Sequence, residues 1–199
     1  MFGSSGFKVT FVATMLWASA LQPALAGSAP GLARTARVAP PSQYIVATKH
    51  VLAPFAFVKF CRNNQQDCQP SAGKTLMALD TARHKELLRV NAMVNRTIKA
   101  RNDNTSNDVW SADVAAGDCE DFALTKRRML IRAGWPAPSL RLAVARTGTG
   151  EGHAVLVVKT SRGDLVLDNR SNRIRRWNQT DLTWEKIQSD KNPRLWLAI

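Results

Sequence analysis

The sequence is short of acidic residues, holds three cysteines, and lacks an apolar run long enough to cross a bilayer. Asp and Glu number 15 against 28 Lys and Arg, giving a formal charge of +13. So basic a chain suits nucleic acid, an anionic membrane surface or an acidic polypeptide as partner. The aromatic interleaving that accompanies nucleic-acid binding is missing, which argues against the first of these. Lys126, Arg127, Arg128 and Arg132 lie along one predicted helix, and Arg170, Arg173, Arg175 and Arg176 cluster after Asp168. They read first as a solvated basic face and second as an attraction for an acidic polypeptide. Repeats and low-complexity tracts are also missing, so one ordinary domain with a single sizeable core is expected.

The longest early apolar stretch, Thr10 to Ala20, falls short of the roughly 20 residues that a transmembrane helix needs. Lys8 precedes it, Pro23 breaks it, and Ala24-Leu25-Ala26 supplies the small-x-small pattern of a cleavage site. The expectation is a signal peptide over 1–26, with an uncleaved anchor as the alternative, a flexible leader over 27–43 rich in Pro, Gly, Ala and Ser, and a packed domain over 44–199. No integral membrane segment is expected after cleavage. Export to an oxidising compartment permits a Cys61–Cys68 disulfide, with two buried free thiols as the alternative. Either way Cys119 is left over, as an intermolecular bridge or a reactive thiol.

The polar stretch Arg101 to Asp113 contains Asp103, Asn104, Asn107, Asp108 and Trp110, but it lacks the central Gly and terminal Glu of an EF-hand. That reading is rejected. Trp110 is read as core packing before cleft lining, and Asn91 and Asn95, one helical turn apart, as a polar helix face before a site.

Chemistry concentrates downstream. Lys74 to Lys99 has helical periodicity, with Asp80 placed to cap a stretch within it. Asp118 reads as the N-cap of a second helix of about 15 residues, closed by Gly134-Trp135-Pro136. Cys119 falls in its first turn, where the dipole and free N–H groups favour thiolate and can stabilise an oxyanion. Val- and Leu-rich runs at 140–147, 153–160 and 165–169, separated by Gly-rich turns, predict an antiparallel meander, with 173–177 as a candidate fourth strand. Hairpin pairing then brings His153, opening one strand, to the same end of the sheet as Asp168, closing the next. Cys, His and Asp in this order are what a nucleophilic thiol site needs. His50 and His84 lack such a setting.

Three blocks, Gly117-Asp118-Cys119-Glu120-Asp121-Phe122-Ala123, His153-Ala154-Val155-Leu156 and Leu167-Asp168-Asn169, resemble the signature of the bacterial transglutaminase-like cysteine proteinases. Asp108-Val109-Trp110 and the Cys61–Cys68 segment are also similar to family features. The resemblance implies an α+β papain/transglutaminase-like fold, with a nucleophile-bearing helix packed on an antiparallel β-sheet, and a Cys119–His153–Asp168 triad. It further implies a periplasmic endopeptidase that cleaves the N-terminal region of a large surface adhesin and so controls biofilm attachment. Calcium, held by Asp118, Glu120 and Asp121, is implied as cofactor, and the periplasmic domain of an inner-membrane cyclic di-GMP receptor as partner. A transglutaminase or other acyltransferase using the same triad, and a noncatalytic calcium-dependent binding module, are the alternatives.

Overall fold

The computed structural model describes residues 42–103 and 108–199, together with Met1, Gly3 and Gly6. Apart from those three residues, the predicted signal peptide lies outside the described residues, as do nearly all of the leader and Asn104 and Asn107. The packed unit falls within Ala39–Ile199.

Its elements run β1 (His50–Val51), α1 (Phe55–Asn63), α2 (Thr81–Thr97), β2 (Lys99–Ala100), β3 (Ala116–Gly117), α3 (Cys119–Arg132), β4 (Leu140–Arg146), β5 (Gly152–Thr160), β6 (Gly163–Leu167), β7 (Arg175–Arg176), β8 (Thr183–Gln188) and β9 (Trp196–Ala198). The expected meander is present as β4-β5-β6-β7, and it forms one half of an antiparallel seven-stranded sheet ordered β1-β9-β8-β4-β5-β6-β7. The helical reading of 74–99 needs trimming. Residues 74–79 are not helical, with Met77 bridging Thr160, and the helix begins after Asp80, whose carboxylate accepts the Arg83 N–H at 2.7 Å.

Alternation along the strands builds a core on each face of the sheet, because successive side chains point to opposite sides. Leu142, Ala154, Leu156, Val158, Leu165 and Leu167 pack against Leu87, Val90 and Val94 of α2 and Phe122, Ala123 and Leu130 of α3. On the other face Ala143, Val155, Val157, Val166 and Ile187 are covered by Ile45 and Leu182. Each such Leu, Val or Phe contributes roughly 1.5–3 kcal/mol by leaving water, so α3 is fixed along its length and its first turn is held at a defined place over β5.

Cys61 and Cys68 form a disulfide with Cα atoms 5.6 Å apart, which decides between the two sequence alternatives. The bridged segment is tied to α3, since Arg128 Nη2 donates to Asp67 Oδ2 at 2.6 Å and to Asn64 Oδ1 at 2.7 Å. The expectation of a solvated basic face on α3 fails at two positions. Lys126 and Arg127 are buried: Arg127 reaches the Leu140 and Asp67 carbonyls, whereas Lys126 points into the interior. Charge alone does not reveal which side of a helix packs.

Candidate active site

The short parallel pairing of β2 with β3 aligns Lys99 with Ala116 and Ala100 with Gly117, and so delivers the chain after Ala100 to the start of α3. Gly117 is required there, because a Cβ at this position would collide with the Asp121 carboxylate. Asp118 occupies the N-cap position as predicted, but its side chain makes no capping bond. Instead its Oδ2 accepts the Asp103 N–H at 3.2 Å.

Cys119 is the first residue of α3, and its Sγ accepts the Ala154 backbone N–H at 3.3 Å, which seats the thiol beside His153. His153 Nε2 lies 2.9 Å from Asp168 Oδ1. Asp168 follows β6 directly, and the β5–β6 register, with Leu156 opposite Leu167, carries the two side chains to one end of the sheet. The predicted meeting of Cys119, His153 and Asp168 is therefore present. A cleft of about 540 Å³ opens over Cys119 and His153, with Trp110 and Arg170 in its wall. Trp110 serves both roles weighed from sequence, since it also stacks edge-on against Phe57 and Trp196 in the core.

Arg170 was missed as a site residue because it reads as one of a basic cluster. Its Nε and Nη2 donate to Asp168 Oδ2 at 3.0 and 2.9 Å, its backbone N–H donates to Oδ1 at 2.9 Å, and its guanidinium also holds Asp181. Burial opposes ionisation of Asp168, but hydrogen bonds from His153 and Arg170 outweigh it and hold the carboxyl well below the usual carboxylate range. An ionised Asp168 requires the proton on His153 Nε2, leaving Nδ1 as the basic nitrogen. A carboxyl depressed in the folded state contributes stability that is present above its unfolded value of about 4 and lost as pH falls below it. Acid unfolding of an Asp168→Asn variant, followed by circular dichroism, will accordingly show a shallower loss of stability below that pH than the parent. Identical slopes would mean that Asp168 is not held in its ionised form.

The thiol departs from the sequence expectation. Burial pushes the Cys119 thiol well above its usual range, the charge of Glu120 adds to this, and the thiol donates to Glu120 Oε2 at 3.2 Å. Glu120 is itself pushed up to about 9, by burial first and then by the neighbouring Asp118 carboxyl. The helix terminus alone does not favour thiolate against that burial and the neighbouring carboxyl groups.

Ligand atoms of Asp103, Asp118 and Glu120 lie within 4.8 Å of one another, an arrangement able to hold a metal ion. Asp118 Oδ1 and Glu120 Oε1 are buried without hydrogen-bond partners among the described residues, as hard-cation ligands waiting for an ion would be. Asp121, the other predicted ligand, is not in this group. Its Oδ1 accepts the Ser111 N–H at 2.7 Å, tying down the loop before β3. Asp103 lies in the stretch whose EF-hand reading fails; its partners are remote in sequence, and no local pattern links them.

A thiol heading a helix, facing an imidazole–carboxylate pair on an antiparallel sheet, defines a cysteine protease of transglutaminase-like fold. The family model described as bacterial transglutaminase-like cysteine proteinase (BTLCP) matches residues 47–199. The chain belongs to that family. Among solved structures it is similar to calcium-bound LapG of Legionella pneumophila, at 28% identity and TM-score 0.52, over 58% of this chain and 68% of that one. A second structure of the same Legionella protein matches at 29% identity and TM-score 0.51, over 58% and 68% of the two chains. An EGTA-treated form matches at 28% identity and TM-score 0.50, over 58% and 67%. No curated protein matches the chain.

Proposed function

We propose that the chain is an exported, periplasmic, calcium-dependent endopeptidase that cuts the N-terminal region of a large surface adhesin through Cys119, His153 and Asp168. The observation that carries the triad is the 2.9 Å contact of His153 Nε2 with Asp168 Oδ1, beside a thiol seated by the Ala154 N–H. In this reading Nδ1 takes the Cys119 proton, the thiolate attacks the scissile carbonyl, and the imidazolium protonates the leaving amine before water releases the acyl group. Asp168 holds the tautomer and stabilises imidazolium. The Cys119 backbone N–H, at the head of α3, is placed to donate to the oxyanion. Export rests on the leader sequence. Among the described residues no helix is long and apolar enough to cross a membrane. The family resemblance supports the adhesin, control of biofilm attachment, and a cyclic di-GMP receptor whose periplasmic domain restrains the enzyme.

Calcium is supported by the calcium-bound form of the Legionella relative and by the unpartnered oxygens of Asp118 and Glu120, with Asp103 as third ligand. When bound, it would offset the negative charge that burdens the thiol. Since Cys61 and Cys68 are joined, Cys119 is the free thiol available to iodoacetamide. Calcium will therefore speed its alkylation, by about tenfold or more if one neighbouring charge is neutralised, and Asp103→Asn will raise the calcium concentration needed. A rate indifferent to calcium and chelator would remove the metal from this reading.

The deciding experiment is cleavage of a candidate adhesin N-terminal fragment by residues 27–199, parent against Cys119→Ala, with calcium and with chelator. Cleavage by the parent alone, in calcium, is expected. Transfer of the fragment to an added amine in place of hydrolysis would favour the acyltransferase.

A further inference from the structure

The turn leading from Asp168 to β7 is held by polar groups of α2 that do not line the cleft and that a packed core does not need. Asn95 of α2 donates through Nδ2 to the Asp168 carbonyl at 3.1 Å, to the Ser171 carbonyl at 3.2 Å and to Asn172 Oδ1 at 3.0 Å. Asn91, one helical turn earlier and fully buried, donates to the same Ser171 carbonyl at 3.0 Å. These side chains were read from sequence as a polar helix face; they instead face the turn that carries Asp168.

Lys126 of α3 completes the arrangement. It is 0% exposed, its Nζ has no hydrogen-bond partner among the described residues, and its near neighbour is the Phe122 ring, 6.0 Å away. Burial pushes its ammonium down to about 7, and the Asp168 carboxylate is the charge that pulls it back up. A methionine would fill nearly the same volume without the desolvation cost of a lone amine. Packing therefore gives no reason for a lysine here, whereas the field of the Asp168 carboxylate, which must stay charged, does.

We propose that Asn95, with Asn91, forms a polar cradle for the Asp168 turn, and that the buried Lys126 acts on the same carboxylate through space, so that all three are positioning residues that keep it aligned on His153. The proposal rests on the reading of Asp168 as the triad acid. Asn95 fixes the backbone at Asp168 by a direct hydrogen bond, whereas Lys126, buried with no hydrogen-bond partner among the described residues, acts on the carboxylate through its charge alone. Neither touches substrate, so both act through Asp168.

The test uses Asn95→Ala and Lys126→Met in the full mature chain, in calcium, with Asp168→Asn as reference and each combined with Asp168→Asn. Two readouts need no identified substrate: the iodoacetamide alkylation rate of Cys119, and the low-field proton resonance of His153 Nε2–H. Each single variant is expected to lower the alkylation rate by about tenfold to a hundredfold, the scale of an ångström-level misalignment, and to weaken or shift the resonance. Lys126→Met is expected to do so without lowering the thermal unfolding midpoint, which separates alignment from folding and covers the case in which Asn95→Ala fails to fold. In the double variants the losses should not add, because the cradle works through the carboxylate. Unchanged rate and resonance in Lys126→Met, or full additivity with Asp168→Asn, would overturn the proposal. If Asp168→Asn itself loses the resonance but keeps the rate, the triad reading has failed, and the cradle's role in catalysis falls with it.

Discussion

Cys119→Ala will have no measurable peptide cleavage, and Asp168→Asn will keep its fold while losing about four orders of magnitude in turnover, the scale seen when a triad acid stops fixing the imidazole tautomer. The two variants fail for different reasons. In the proposed mechanism Cys119 supplies the atom that bonds to the substrate, so no residual covalent route exists without it. In Asp168→Asn the amide can present either a donor or an acceptor to His153 Nε2, now 2.9 Å from a carboxylate oxygen, and the tautomer with a basic Nδ1 is no longer enforced. The Arg170 guanidinium would meanwhile lose the charged partner that takes two of its hydrogen bonds. Steady-state kinetics on folded, purified proteins will show this as a fall in kcat with KM little altered. Retained function in Cys119→Ala would return the chain to the noncatalytic binding module.

Asp164→Ala will destabilise the fold by about 3–5 kcal/mol, the cost of leaving a buried charge without its partner. Asp164 is 0% exposed; its Oδ2 accepts Arg141 Nη2 at 3.0 Å and the Ile45 N–H at 2.8 Å. Its own backbone N–H donates to the Gln43 carbonyl at 2.9 Å, so this one residue fastens the entry of the domain to the start of β6. Burial raises the Asp164 carboxyl despite the opposing charge of Arg141, which shows that the pair is held at a desolvation cost. It follows that Arg141→Met combined with Asp164→Leu will recover most of the loss in urea unfolding. If the double variant is as unstable as the single one, the Ile45 contact and not the stranded guanidinium sets the penalty.

The meeting of Cys119, His153 and Asp168 is legible in the sequence because these residues sit in local patterns: a glycine-acid helix start before Cys119, and two tight turns that fix how 140–169 folds back on itself. Antiparallel pairing then needs no further information to bring His153 to Asp168. The other half of the sheet was not legible. Thr183–Gln188 mixes Thr, Glu, Lys and Gln with Trp and Ile, and it becomes a strand by docking beside β4, a partner some forty positions back in the register Ala143 to Ile187. Asp103 was seen without its partners for the same reason, since its neighbours are chosen by the β2–β3 pairing. Lys126 and Arg127 carry the sequence marks of a surface, and only the packing of α3 shows otherwise. The thiol's electrostatics were misjudged because the helix terminus was weighed, while the burial of Glu120 next to it was not visible.

The Cys61–Cys68 bridge leaves the nucleophile as the one sulfhydryl in the molecule. Should Cys119 be oxidised to the sulfenic acid, no second thiol in its own chain can condense with it, and further peroxide would carry it to the irreversible sulfinic and sulfonic acids. Recovery at the first stage must come from an outside reductant, so the redox state of the surrounding compartment becomes a limit on how long the enzyme stays active.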